Sequence, residues 1–314
     1  MKNLFRRRRR REEGWLAISV QPAALHFAHG VRSSSGKCRI TRCGTRALGD
    51  AAKDIDRVAK ELELDRYRCL TVLAPDEYQL LLVEAPNVPP AELKTAVRWR
   101  VKDMLDYHVE DATIDVLDIP PDSAAAQRSH SMYAVAARND VIQRCIGRFE
   151  AAHIPLMVID IGETAQRNLA ELFEPPDRGL AFLYLGESHA SLTVNFRGEL
   201  FLARRIDVSV DQLLKSSQAV KDEAKNRILL ELQRSFDHFD RQFPHIGVAK
   251  LLLGPEPAET GLAEHLAENL DLPVDQASLG DVLDIAPQSA FDSEAAWRLF
   301  HVVGAALRSE VKAL

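Results

Sequence analysis

Carboxylates, hydroxyls and imidazoles cluster at a few places in this sequence, and each place admits a specific chemistry beside a plainer alternative. Asp160-Ile161-Gly162-Glu163-Thr164 has the acid, glycine and hydroxyl of a phosphate-gripping turn, whose backbone amides would cradle an anion. Such a turn needs two paired strands to aim those amides. Ala165 to Phe173 has a helical pattern instead, so a helix start is expected, with Glu163 favourable at the positive end of its dipole. A remnant metal or water site at Asp160 and Glu163 is the competing reading. His26 and His29 lie three apart on an expected strand, which points them to opposite faces and argues against a shared metal. Ser188-His189 joins a hydroxyl to an imidazole, but no positioned acid or oxyanion donor accompanies them. No catalytic residue and no metal ligand are expected.

The elements around these residues repeat. Trp15 to Val20 reads as a strand, turns at Gln21-Pro22-Ala23-Ala24 and returns through Leu25 to His29; Leu180 to Leu185 turns at Gly186-Glu187-Ser188-His189 and returns through Ala190 to Val194. Each hairpin leads to a third strand, at Lys37 to Thr41 and at Leu200 to Ile206, and then to helices: Ala51 to Leu64 in the first half, and Val220 to Phe243 in the second. Between the halves, strands are expected at Arg68 to Leu73, Tyr78 to Glu84, Ala112 to Ile119 and Met132 to Ala137. A helix after Pro89-Pro90 carries the stripe Leu93, Val97, Val101, Leu105, and another runs from Asp140 to Ala152. Pro175-Pro176 marks a boundary. Lys250 to Leu253 is a buried strand, followed by a helix from Gly261 to Leu270, a short strand at Pro273 to Asp275, and a last helix from Trp297 to Leu307. The expected division is a basic tail at 1–13, a first core subdomain at 14–67 and 151–178, an inserted α/β lobe at 68–150, and a second half at 179–314.

Composition narrows the classes. With 46% hydrophobic and 27% charged residues, 314 residues suffice for two cores. The four cysteines lack CxxC spacing and sit in apolar stretches, which predicts buried thiols. No run of 18 apolar residues exists, so a cytosolic location is expected. The net charge of −6 hides an asymmetry: residues 1–13 carry +5 and the remainder −11. Lys2, Arg6, Arg7, Arg8, Arg9, Arg10 and Arg11 beside Leu4 and Phe5 either attract anionic lipid headgroups, at about 1 kcal/mol per basic residue, or form a solvated tail. Nucleic-acid binding is not expected, because the acidic body repels phosphates and no aromatic platform accompanies the arginines.

Five pieces in order carry a family resemblance. They are Phe149 to Pro155 with Val158 to Gly162, Leu185-Gly186 through Ala203-Arg204-Arg205-Ile206, Leu251 to Val274, and Val303-Gly304-Ala305-Ala306-Leu307-Arg308. Over roughly residues 14 to 310 the chain resembles the PilM family of type IV pilus assembly proteins and, within it, the MshI proteins of mannose-sensitive haemagglutinin (MSHA) pili. The cytoplasmic part of the type II secretion L protein is a more distant likeness. The resemblance implies an α/β, actin-like fold, a duplicated ribonuclease-H-like unit with an inserted small α/β lobe. It also implies a peripheral cytoplasmic component at the inner membrane that binds the cytoplasmic tail of a bitopic, PilN-like partner.

The departures from that family concern nucleotide chemistry. Ser19-Val20-Gln21-Pro22 stands where the family has Asp-x-Gly-Ser, His26 where it has lysine, Tyr184 at a polar position before Gly186, Ser209-Val210 for a double glycine, and Gly254-Pro255 for the double glycine of the adenosine loop. Proline removes a donor amide, and serine and tyrosine supply no carboxylate for Mg²⁺. A pseudo-ATPase scaffold is therefore expected, with no cofactor and with Gly186 and Gly254 left from a vestigial nucleotide cleft. The alternative is an actin-like ATPase that cycles ATP during pilus assembly. For the partner tail, Leu80, Leu82, Val97, Trp99 and Val101 are the expected docking residues, in a groove between the lobe and the first core subdomain. Trp99 falls off the apolar stripe of its helix, where it either anchors the partner or packs on its own lobe.

Overall fold

The computed structural model describes residues 11–32, 38–49, 51–120, 130–215, 217–287, 289 and 291–309. The first half runs β1 (Trp15–Val20), β2 (Ala24–Arg32), β3 (Cys38–Ala47), α1 (Ala51–Glu61) and β4 (Cys69–Val72). Next come β5 (Tyr78–Glu84), α2 (Pro90–Val101), β6 (Ala112–Asp118) and β7 (Ser131–Arg138). The chain then returns through α3 (Asn139–Ala151), β8 (Leu156–Asp160) and α4 (Gly162–Ala170). The second half contains β9 (Gly179–Leu185), β10 (Ala190–Phe196), β11 (Glu199–Ile206), α5 (Val210–Leu214), α6 (Gln218–Gln242) and β12 (Val248–Leu253). It ends with α7 (Leu262–Asn269), β13 (Val274–Gln276), α8 (Leu279–Val282), β14 (Leu283–Ile285), α9 (Ser293–Arg298) and α10 (Phe300–Ala306).

Two sheets repeat one topology. The first has the order β14-β3-β2-β1-β4-β8, and the second β11-β10-β9-β12-β13. In each, an antiparallel three-strand meander meets parallel strands that must be reached by crossovers. The sixth strand of the first sheet comes from the other half: β14 pairs parallel to β3, with Leu283 opposite Cys38 and Ile285 opposite Ile40.

The halves also exchange helices. α10 packs on β1, β2 and β4 of the first sheet, and α4 packs on β9, β10 and β11 of the second. The small residues on the α10-facing side of the first sheet explain the close approach. A Cβ on Gly30 would lie 2.5 Å from the Ala306 carbonyl oxygen, and one on Gly304 would lie 2.1 Å from that of Ala165. The opposite face of that sheet, with Leu16, Ile18, Leu25 and Phe27, packs with Ile55, Val58 and Leu62 of the α1 region. Each hydrophobic face is thus buried once, and one core cluster spans residues of both halves.

Three expectations change. The sequence puts the strand at Arg68 to Leu73 in the lobe, but β4 is a central strand of the first main sheet, buried between β1 and β8. α3, expected to close the lobe, packs on it through Val141 against Ala137 of β7 but also carries Phe149 into the cluster beneath the first sheet. A continuous apolar run reads as a strand whichever sheet it joins, and only pairing assigns it. The observed three-stranded sheet, order β5-β7-β6, therefore spans 78–138 and carries α2 on one face. The single C-terminal helix is two, α9 and α10, divided at Leu299. No described helix is long and apolar enough to cross a membrane.

Candidate functional site

The candidate residues fall at the two hairpin turns and at the start of α4. At the first turn Gln21 N donates to Ala24 O at 2.8 Å, closing a tight β1–β2 connection. His26, in the position of the family's lysine, is buried; Nδ1 lies 2.8 Å from Thr45 Oγ1 and Nε2 3.3 Å from Gln21 Oε1. Burial, with the Arg298 charge behind it, lowers its pKa, so this imidazole supplies no cation to a phosphate near neutral pH. His29 bonds a separate set, Thr41 and the Glu13 carbonyl, and the described residues contain no cluster able to hold a metal.

At the second turn the polar position has become part of the core. Tyr184 is 7% exposed and donates its hydroxyl to Trp297 O at 3.0 Å, while Trp297 Nε1 donates to Leu185 O at 2.6 Å. Gly186 N donates to His189 O and Gly254 N to Leu183 O, so both glycines expected from a nucleotide cleft bond backbone carbonyls through their amides. A Cβ on Gly254 would stand 3.2 Å from the Tyr184 ring, so the glycine makes room for a side chain. Beside that loop lies a cleft of about 800 Å³ lined by Glu256, Glu259 and Asp292, with no lysine or arginine among the described residues of its wall. Such a lining disfavours a polyanion.

The Asp160–Thr164 motif is the start of α4, as its helical continuation predicts. Asp160 accepts from Arg308 Nη1 at 2.9 Å and from the Thr164 hydroxyl, and this fixes the C-terminal segment to the first half. Glu163 instead faces the lobe: Tyr78 donates to its Oε2 at 2.5 Å, and Gly162 N donates to the Tyr78 oxygen at 3.3 Å. Burial raises the pKa of both Glu163 and Tyr78. The His301 ring lies edge-on to Tyr184 with centroids 4.7 Å apart, and burial lowers both His301 and His189 to a pKa of about 4. Ser188 Oγ lies 2.9 Å from His189 Nδ1. Tyr78 and His301 carry no signal as site residues in the sequence because no local spacing links them; Arg205 and Arg308 are visible only within resembling motifs.

The proposed docking residues separate. Val97 and Val101 are fully buried beneath the lobe's sheet with Val83, Val116 and Met132, so they offer a partner no surface. The sequence stripe had marked them as the helix's inner face, and the inner face is what the lobe itself covers. Leu80 is partly buried against the main core. Leu82 and Trp99 are open at 38% and 59% exposure, with the Lys102 ammonium 5.8 Å from the Trp99 ring centre. β5, which carries Leu82, is an edge strand paired only with β7. Of the basic tail, Arg11 is exposed and places Nη1 3.5 Å from Met157 Sδ, while Lys2 and Arg6 to Arg10 lie outside the described residues.

No protein-family model matches the sequence, and no curated protein matches it either. Solved structures do. The chain is similar to a protein of the "PilM-PilN type IV pilus biogenesis complex", with 20% identity and a TM-score of 0.69 over 95% of this chain and 98% of that one. It is similar also to a Bacteroides thetaiotaomicron protein described as having an actin-like ATPase fold, with 8% identity and a TM-score of 0.51 over 86% and 92%. The cytoplasmic domain of EpsL, an inner-membrane component of the Vibrio cholerae type II secretion system, aligns at 12% identity and a TM-score of 0.48 over 92% and 94%. Together with the repeated sheet order, the first two of these likenesses establish that the chain has the actin-like fold.

Proposed function

We propose that this protein is a non-catalytic assembly component of a type IV pilus, of the MSHA kind, or of a related secretion machine, and that it binds the cytoplasmic tail of a bitopic, PilN-like inner-membrane partner. The observation that carries the reading is the near full-length match to a protein of the PilM–PilN complex. The non-catalytic part is supported by the phosphate turns, where Tyr184 is core and the Gly186 and Gly254 amides are already bonded. The docking surface is the lobe side of the first half, where the free edge of β5 offers backbone groups to an extended peptide and Leu82 and Trp99 offer apolar contact. The basic tail adds attraction to an anionic membrane, giving a cytoplasmic protein held peripherally at the inner membrane.

The test is titration of the full chain with a peptide copying the cytoplasmic tail of the bitopic membrane protein encoded beside this gene. Trp99→Ala is expected to weaken binding by about 2 kcal/mol, the size of an interface anchor, without lowering the melting temperature. Absence of binding by the wild-type chain, or neighbouring genes for sugar metabolism in place of a pilus system, overturns the reading.

A further inference from the structure

Polar contacts among the described residues fasten the lobe to the rest of the molecule at particular places. β5 begins at Tyr78, whose hydroxyl reaches across 85 positions of sequence to Glu163 on the first turn of α4 and accepts from Gly162 N. Tyr133 on β7 accepts from Ala203 N, at the free edge of β11 in the second half, at 2.9 Å. Arg205, also on β11, donates to Pro75 O at 3.3 Å, in the loop that leads into β5. The outer end of the same strand has no such anchor: Leu82 is open to solvent, and Val83 packs only within the lobe. β5 thus carries a polar pin at its first residue, rests on the main core at Leu80 and is open to solvent at Leu82.

We infer that Tyr78 and Glu163 form a latch that holds the inserted lobe in register with α4 and so sets the position of the docking edge of β5. α4 follows directly on β8 of the first sheet, whose Asp160 holds Arg308, and is tied to the second half through Gln166 Nε2 on the Phe182 carbonyl at 2.8 Å and Asn168 Nδ2 on the Gly304 carbonyl at 3.0 Å. The latch therefore refers the lobe to the common core and not to one flexible loop. A phenol donating to a carboxyl is a strong, directional contact, and removing the hydroxyl leaves a desolvated carboxyl without its partner. An amide at position 163 still accepts from the phenol, so Glu163→Gln should keep the latch closed.

The inference rests on the docking reading for its use, but its test does not need the partner. Hydrogen exchange of the full chain is measured for wild type, Tyr78→Phe and Glu163→Gln. Tyr78→Phe is expected to speed exchange at least tenfold in residues 78–84 and 131–138 while β9 and β10 keep their wild-type protection; Glu163→Gln is expected to match wild type. Unchanged lobe exchange in Tyr78→Phe overturns the latch. A uniform rise across both halves also overturns it, since the contact would then be general core support, and equal loosening by Glu163→Gln would assign the hold to charge. With the tail peptide of the docking experiment, Tyr78→Phe is expected to shift the dissociation constant at least fivefold. Wild type that fails to bind this peptide sinks the docking reading and leaves the exchange measurement to judge the latch.

Discussion

The Tyr184 ring stacks on Phe300, centroids 4.4 Å apart and planes 8° apart, so a side chain from the second hairpin is packed against the last helix of the chain. Aromatic pairs of this kind add about 0.5–1.5 kcal/mol beyond their buried area. Position 184 thus makes a stabilising contact between β9 and α10.

That contact predicts the outcome of restoring the nucleotide site. Titration calorimetry of the wild type with ATP·Mg²⁺ is expected to show a dissociation constant no tighter than about 1 mM, near −4 kcal/mol. Ser19→Asp with Pro22→Gly repairs only the first turn and is expected to gain less than about tenfold. Tyr184→Asp removes the stack and buries a carboxylate, and should cost roughly 3 kcal/mol or more in denaturant unfolding. Low-micromolar affinity in the wild type would overturn the pseudo-ATPase reading.

Gly304→Ala tests the helix exchange between the halves. Its new Cβ would meet the Ala165 backbone oxygen at 2.1 Å, a contact that only separation of α4 and α10 relieves. The expected loss is about 3 kcal/mol or more, or failure to fold, with both halves unfolding in one transition. Independent melting of the halves would contradict the shared core.

Stability should fall as pH drops through the window set by His189 and His301. Burial lowers both from 6.5 to about 4, with Arg205 adding to the effect at His189 and His189 to that at His301. Below pH 6.5 the unfolded chain binds protons on these rings while the folded chain keeps them neutral, so the native state loses stability until about pH 4, where both states are charged. Melting curves between pH 7 and 4 should show this decline. Replacing both histidines by asparagine should flatten it, and an unchanged slope would assign the decline to other groups.

The arginine run predicts salt-sensitive membrane association. Binding of the full chain to anionic vesicles should fall steeply between low and physiological salt, and deletion of residues 2–11 should abolish it. Equal sedimentation with neutral vesicles would remove the electrostatic account.

The sequence by itself determined the elements and their duplication. Strand alternation, proline boundaries and helical periodicity are local properties, and they place both hairpins, β5, α2 and the start of α4 close to where the structure has them. It also determined which phosphate-gripping residue types are missing, because Ser19, Pro22 and Tyr184 are identities that no folding alters. Tertiary structure alone decided where surfaces lie. Val97 and Trp99 share one helix, and the sheet that covers the first and leaves the second open is assembled from β5, β6 and β7, up to 40 residues away in sequence. β4 and β14 were assigned to their sheet by pairing with distant edges, and Tyr78 met Glu163 only because the lobe folds back onto α4. Such contacts are set by the burial of whole faces against one another, which no window of neighbouring residues encodes.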